Sequence, residues 1–153
     1  MKSLIFGYGV TGHSFERYLQ KKGEDFEIYD ENVKGPNIIN KLPDHKKLDS
    51  YKMIYLSPGI NIRKIYPKGE FKNIPYITDL DIFFQEDNSF KIGITGTNGK
   101  STCCYHLHQL LEESQLIGNI GTPVLDNINA SSYSIIELSS FQLEKLKKIN
   151  LDF

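Results

Sequence analysis

The chain has 153 residues, 39% of them apolar and 24% charged, and a formal net charge of −1 from 18 basic and 19 acidic side chains. That is a globular composition, and the lack of a basic stripe interleaved with aromatics argues against nucleic acid as a partner. No apolar run approaches the roughly 20 residues of a membrane span, the N-terminal MKSLIFGYG is too short for a secretory signal, and the adjacent Cys103 and Cys104 form no disulfide framework, which points to a reducing cytoplasm.

Residues 3–6 read as a short strand that stops at Gly7. Residues 13–22 carry Phe15, Tyr18 and Leu19 on one helical face, with Gly23 as the stop. Residues 26–29 form a second strand, closed by Asp30, and a polar, turn-rich stretch with Gly35, Pro36 and Pro43 follows. Residues 52–56 are a strand that ends at Ser57-Pro58-Gly59, residues 76–77 a short strand, and residues 80–84 an apolar helix. Strand, turn, helix, strand is the rhythm of a parallel sheet with crossover helices.

After a turn at 85–89 the rhythm restarts, with a strand at 90–95, a glycine loop, and a helix at 100–113. Residues 116–120 are strand-like, and Thr122-Pro123 has the chemistry of a helix start. Residues 133–138 read as a buried strand. Ser139 stands at capping-box spacing from Gln142, ahead of a helix to about Lys148. Residues 149–153 look like the beginning of another strand, so the second unit is expected to stop in mid-fold, with one sheet edge unpaired.

Two glycine loops carry the chemistry. Gly7-Tyr8-Gly9-Val10-Thr11-Gly12 is a full G-x-G-x-x-G between a strand and a helix, where glycines permit a tight turn and let backbone N–H groups approach a diphosphate. With Asp30 at the end of the next strand, the pattern by itself reads diphosphate plus sugar, as in a dinucleotide fold, without identifying nicotinamide. A tight turn that needs glycines for geometry alone is the plainer alternative.

Thr95-Gly96-Thr97-Asn98-Gly99-Lys100-Ser101-Thr102 is the sharper signal. A strict P-loop has glycine where Ile94 stands, but the working parts remain. Gly96 and Gly99 free the backbone to wrap phosphates, Lys100 is a point charge for the β and γ groups, and the Ser101 hydroxyl can reach Mg²⁺. Glu137 ends an apolar strand, a position that either holds Mg²⁺ or is simply solvated. Cys103, Cys104, His106 and His108 invite a zinc reading, but the helix must pack on a sheet and buried cysteine behaves as a small hydrophobe. The charges over 144–148 read as a solvated helix face.

At GTNGKST the sequence resembles the Mur ligase family, the ATP-dependent amide-forming enzymes of peptidoglycan synthesis, whose loop has this form with no glycine at position 94. Ser57-Pro58-Gly59-Ile60, Gly118-Asn119-Ile120-Gly121 and the run IELSSFQLE over 136–144 extend the resemblance along the whole chain. The fold class expected is therefore α/β: a Rossmann-like parallel-sheet domain over residues 1–79, then the start of a P-loop α/β ATPase domain over residues 80–153.

The resemblance implies that the first loop serves the diphosphate of a UDP-sugar rather than NAD, and the second serves ATP. ATP would phosphorylate the alanine carboxylate of UDP-N-acetylmuramoyl-L-alanine, and the amine of D-glutamate would displace the phosphate. Carried over residue by residue, Gly7, Gly9, Val10, Thr11, Gly12 and Asp30 would line the UDP-sugar site, with Gly59 close by and Asn119 contacting the sugar substrate. Gly96, Thr97, Asn98, Gly99, Lys100, Ser101 and Thr102 would bind ATP. Lys100 and Glu137 would be catalytic, and Ser101 and Glu137 would hold Mg²⁺. The implied partners are these three substrates, for a cytoplasmic monomer with no membrane span.

Family members have three domains and are longer than this chain, so it is expected to be inactive as a ligase by itself. An NAD-binding Rossmann protein, a non-catalytic UDP-sugar binder, and another amide ligase such as a folylpolyglutamate synthetase are the rival readings. The first leaves GTNGKST and ELSSFQLE unused.

Overall fold

The computed structural model describes residues 1–68 and 74–153, which divide into two compact units, Met1–Asp79 and Leu80–Phe153. No helix among the described residues is long and apolar enough to cross a membrane.

The first unit is a five-stranded sheet built on β1 (Ser3–Phe6), β2 (Phe26–Tyr29), β3 (Ile38–Ile39), β4 (Ile54–Leu56) and β5 (Tyr76–Ile77). Their order is β3-β2-β1-β4-β5 and every pairing is parallel. Parallel strands bury both faces, so β1 reads SLIF with all four residues buried. Leu4 and Phe6 pack with Leu48, Tyr51, Ile54 and Tyr66 in one cluster. On α1 (Val10–Lys22), Phe15 meets Tyr55 edge-on at 5.4 Å.

Two elements arise where sequence reading expects only turns. The two-residue edge strand β3 pairs Ile38 with Ile28 and Ile39 with Tyr29. The short helix α2 (His45–Asp49) starts where the Asp44 carboxylate accepts the Lys47 N–H at 2.9 Å, and it buries Leu48. A further short helix, α3 (Ile62–Ile65), is capped in the same way by Asn61. Helix α1 begins at Val10 rather than at residue 13, because the last three residues of the glycine loop already form its first turn.

The second unit carries α4 (Asp79–Glu86) and a three-stranded parallel sheet of β6 (Phe90–Ile94), β7 (Ser114–Gly118) and β8 (Tyr133–Glu137), in the order β6-β8-β7. Helix α5 (Lys100–Leu110) follows β6, and α6 (Ser140–Lys145) follows β8. Leu80, Phe83, Phe84, Ile117, Ile136 and Leu138 form the core on one side. The α5 residue Cys104 is fully buried while Cys103 is exposed, so of the pair only Cys104 packs as a small hydrophobe.

Helix α5 ends three residues earlier than the sequence suggests, and β7 begins two residues earlier. Glu113 takes φ +52° and the Ser114 hydroxyl donates to the Leu111 carbonyl at 2.7 Å, which together turn the chain. After Thr122-Pro123 only a 3-10 turn forms (Val124–Asn127), because Asn127 Nδ2 folds back onto Thr122 Oγ1 and the Pro123 carbonyl. Helix α6 has the full reciprocal capping box between Ser139 and Gln142, though it stops at Lys145.

Residues 151–153 run along the free edge of β6, short of a regular strand. The Asp152 and Phe153 N–H groups donate to the Lys91 carbonyl, and the Gly93 N–H donates to the Phe153 carbonyl at 2.9 Å. The edge expected to be bare is thus partly covered. Lys91 is itself buried, its ammonium held by the Asp87 and Ser89 carbonyls at 2.8 and 2.9 Å and by the Asp87 carboxylate at 3.4 Å.

Candidate functional site

In a parallel sheet whose strand order reverses, ligands bind outside the carboxyl ends of the strands at the reversal. In the first unit that point lies between β1 and β4. The Gly7–Gly12 loop leaves β1 there, and Ser57-Pro58-Gly59 leaves β4. The two segments are tied by the Ser57 hydroxyl, which donates to the Gly7 carbonyl at 2.9 Å.

Two of the glycines are required by geometry. Gly7 has φ +94°, and a Cβ on it would meet the Ile60 side chain at 3.0 Å. A Cβ on Gly12 would stand 2.3 Å from the Gly7 carbonyl oxygen, so the third glycine lets α1 lie against the loop that precedes it. Gly9 and Gly59 are different: a Cβ on either would meet nothing within 4 Å. Both are exposed, as is Val10, while Thr11 and Asp30 are half-buried.

The Asp30 carboxylate locks this end of the sheet. Oδ2 accepts the Tyr8 N–H at 2.8 Å, and Oδ1 accepts the N–H groups of Asn32 and Val33 at 2.9 and 3.1 Å. Partial burial pushes its carboxyl up, but the three donors together hold it below the ordinary carboxylate range. A carboxylate offers about four acceptor positions. The three bonds leave one, on Oδ2, which is enough for one further donor.

In the second unit, Thr95–Lys100 wraps from the end of β6 into α5. Gly96 and Gly99 have φ +146° and +78°, conformations that L side chains rarely adopt. The Lys100 ammonium turns back onto its own loop, donating to the carbonyls of Gly96 at 2.8 Å and Thr97 at 3.4 Å. Backbone N–H groups in the first turn of α5 have no helical acceptor, and with the lysine they make an anion-binding cradle. Thr97, Asn98 and Thr102 are exposed along it.

Glu137, at the end of the neighbouring strand β8, is 1% exposed. Its Oε2 accepts the Ser101 hydroxyl at 2.6 Å, and its Oε1 accepts the Asn119 amide at 2.8 Å. The structure thus joins Ser101 in the first turn of α5, Asn119 just after β7 and Glu137 at the end of β8. The hydroxyl and carboxylate oxygens are hard ligands suited to Mg²⁺, which takes one or two protein oxygens and completes its shell with water and phosphate. No group of three or more His, Cys, Asp or Glu side chains among the described residues could form an all-protein metal cage. Beneath the loop, burial, aided by Glu137 and Cys103, pushes the Cys104 thiol up to about 11.

Sequence reading missed the hydrogen bond from Asn119 to Glu137. Its only signal was the pair of glycines that flank Asn119 and Ile120.

No family model matches the chain. A UDP-N-acetylmuramoylalanine–D-glutamate ligase from Buchnera aphidicola subsp. Schizaphis graminum is 40% identical over 159 residues, covering 94% of this chain and 36% of the relative. The ligase of the same name from Rickettsia prowazekii is 36% identical over 162 residues, covering 96% and 36%. Among solved structures, the UDP-N-acetylmuramate:L-alanyl-gamma-D-glutamyl-meso-diaminopimelate ligase of Neisseria meningitides is 19% identical, with a TM-score of 0.49, covering 90% of this chain and 52% of that one. The chain spans about 36% of the length of the curated relatives it matches, and across both of its units it is homologous to the Mur ligases.

Proposed function

We propose that this Mur ligase homologue supplies the UDP-sugar and ATP loops of a ligase that joins D-glutamate to UDP-N-acetylmuramoyl-L-alanine in peptidoglycan synthesis. The contact between Ser101 and Glu137 carries the reading. It brings the phosphate loop and a strand-end carboxylate together at the carboxyl edge of one sheet. A glycine-rich turn of no function would not need a buried acid aimed at its serine.

In this reading the first loop holds the diphosphate of UDP-N-acetylmuramoyl-L-alanine through the backbone N–H groups at the start of α1. Gly9, Val10 and Thr11 face it, and Asp30 fixes the loop while keeping one acceptor free. Lys100 leaves the carbonyls of Gly96 and Thr97 and neutralises the β and γ phosphates of ATP. Ser101 and Glu137 would hold Mg²⁺. Bound there, the ion would screen charge between two anions, the γ phosphate and the alanine carboxylate. The carboxylate would attack the γ phosphorus and release ADP, and the D-glutamate amine would then displace phosphate from the resulting acyl phosphate, losing a proton as the amide forms. Transfer to water is excluded only if the site is closed, so turnover is assigned to a protein as long as the relatives. The reading places that protein in the cytoplasm, as a monomer.

The NAD alternative has a specific observation against it. An NAD-binding fold accounts for the first loop and Asp30 but gives no task to the second glycine loop or to the buried Glu137 that holds its Ser101.

Calorimetric titration of the 153-residue chain tests the proposal. UDP-N-acetylmuramoyl-L-alanine and Mg·ATP should each bind, at independent sites. Binding of NADH with no heat from the UDP-sugar would overturn the reading.

A further inference from the structure

The turn after β7 is built to lay Asn119 against Glu137. Gly118 has φ +101°, and a Cβ on it would stand 2.3 Å from the Glu137 carbonyl oxygen. Gly121 has φ +85°, and its Cβ would fall 2.0 Å from the Leu116 carbonyl oxygen. Only glycine fits either position, and between them the chain folds back so that Thr122 bridges to Ile117. Asn119 is held twice as a result. Its backbone N–H donates to the Glu137 carbonyl at 2.9 Å, and its amide Nδ2 donates to Glu137 Oε1 at 2.8 Å. Glu137 is buried, so a carboxylate oxygen without a donor there would be costly, and Asn119 supplies that donor for Oε1.

We infer that Asn119 is a positioning residue for the metal site: its amide pins Glu137 Oε1, so that Oε2, beside Ser101, is the oxygen offered to a divalent cation. This rests on the Mg²⁺ reading above. It gives the Asn119 side chain a task besides the sugar contact that the resemblance implies. The amide bond selects one carboxylate oxygen and fixes the rotation of the group before any cation arrives. Removing an outer partner of this kind weakens metal binding by about 10–100-fold.

The test uses Mn²⁺ as the probe, followed by electron paramagnetic resonance with the 153-residue chain in the presence of ATP. Asn119→Ala should weaken Mn²⁺ at least about ten-fold. Asn119→Gln, which keeps an amide donor on a longer arm, should recover most of that loss. Metal-free ATP affinity should stay unchanged in both variants, and thermal unfolding confirms that each is folded.

Undiminished Mn²⁺ affinity in Asn119→Ala would overturn the inference. So would an equal loss of metal-free ATP affinity, which would mean that the whole loop had moved. Loss of UDP-sugar affinity with Mn²⁺ unaffected would return Asn119 to the substrate. Absence of Mn²⁺ binding by the unsubstituted chain, with ATP present, would remove the Mg²⁺ reading and take this inference with it.

Discussion

The Ser101 hydroxyl donates to Glu137 Oε2 across 2.6 Å, joining the first turn of α5 to the end of β8. Ile94 ends β6 beside Glu137 at the end of β8, and the loop from Ile94 into α5 returns Ser101 to the same edge of the sheet. Ser101→Ala removes one oxygen from the proposed cation site and leaves Glu137 held by Asn119. Its effect should appear only when metal is present. The ratio of ATP affinities with and without Mg²⁺ should fall at least about ten-fold, since even outer-shell partners are worth that much. Calorimetry under the two conditions measures the ratio.

The glycines of the first loop separate by role. Gly12→Ala places a methyl group 2.3 Å from the Gly7 carbonyl oxygen and should destabilise the first unit by about 1–3 kcal/mol. Gly9→Ala meets nothing within 4 Å, and its φ of −85° suits alanine. It should cost about 1 kcal/mol or less, the difference between two residues at a helix N-cap, while weakening UDP-sugar binding through crowding of the diphosphate. Urea unfolding and ligand titration, run side by side, give the two quantities.

Asp30 predicts a pH dependence. Its folded carboxyl titrates below the ordinary carboxylate range, so its contribution to stability is complete above the unfolded value of about 3.9. The contribution is lost as pH falls from there through the folded value. Asp30→Asn should therefore lower the thermal midpoint of the first unit at pH 7, and the gap from the unsubstituted chain should narrow below about pH 4. A gap that stays constant from pH 7 to pH 3 would contradict the role of the ionised carboxylate.

The adjacent cysteines should react very differently. With its thiol pushed up to about 11 by burial, Cys104 is thiolate in roughly one molecule per thousand at pH 8, and it is also shielded from solvent. Iodoacetamide should label the exposed Cys103 first, giving a single adduct by mass spectrometry, with the second appearing only on unfolding.

Most of the α/β order was legible because β1 stops at Gly7, β2 at Asp30, β5 follows Pro75, α5 follows Gly99, and β6 follows the polar turn at 85–89. The elements that escaped are short and owe their form to partners distant in sequence. The edge strand β3 is two isoleucines whose strand character comes from lying beside Ile28 and Tyr29. In the same way, the conjunction of Ser101, Glu137 and Asn119 depends on strand order, which periodicity does not encode. Spacing alone supported the two loops and left Glu137 evenly balanced between metal ligand and solvated acid. Its burial and its two donors became visible only once β8 lay between β6 and β7.

Gly93 on β6 makes room for a side chain from the far end of the sequence. A Cβ on it would stand 2.4 Å from a Leu151 methyl, so this glycine is the slot into which Leu151 fits, beside the hydrogen bonds from residues 152 and 153 to β6. The strands of the first unit all come from residues 3–77, so they are synthesised before β6. The phosphate loop emerges soon afterwards, on a strand whose outer edge and whose slot are both still empty. That edge is covered only once residues 151–153 exist, and until then it presents the unpaired N–H and C=O groups of an open sheet edge.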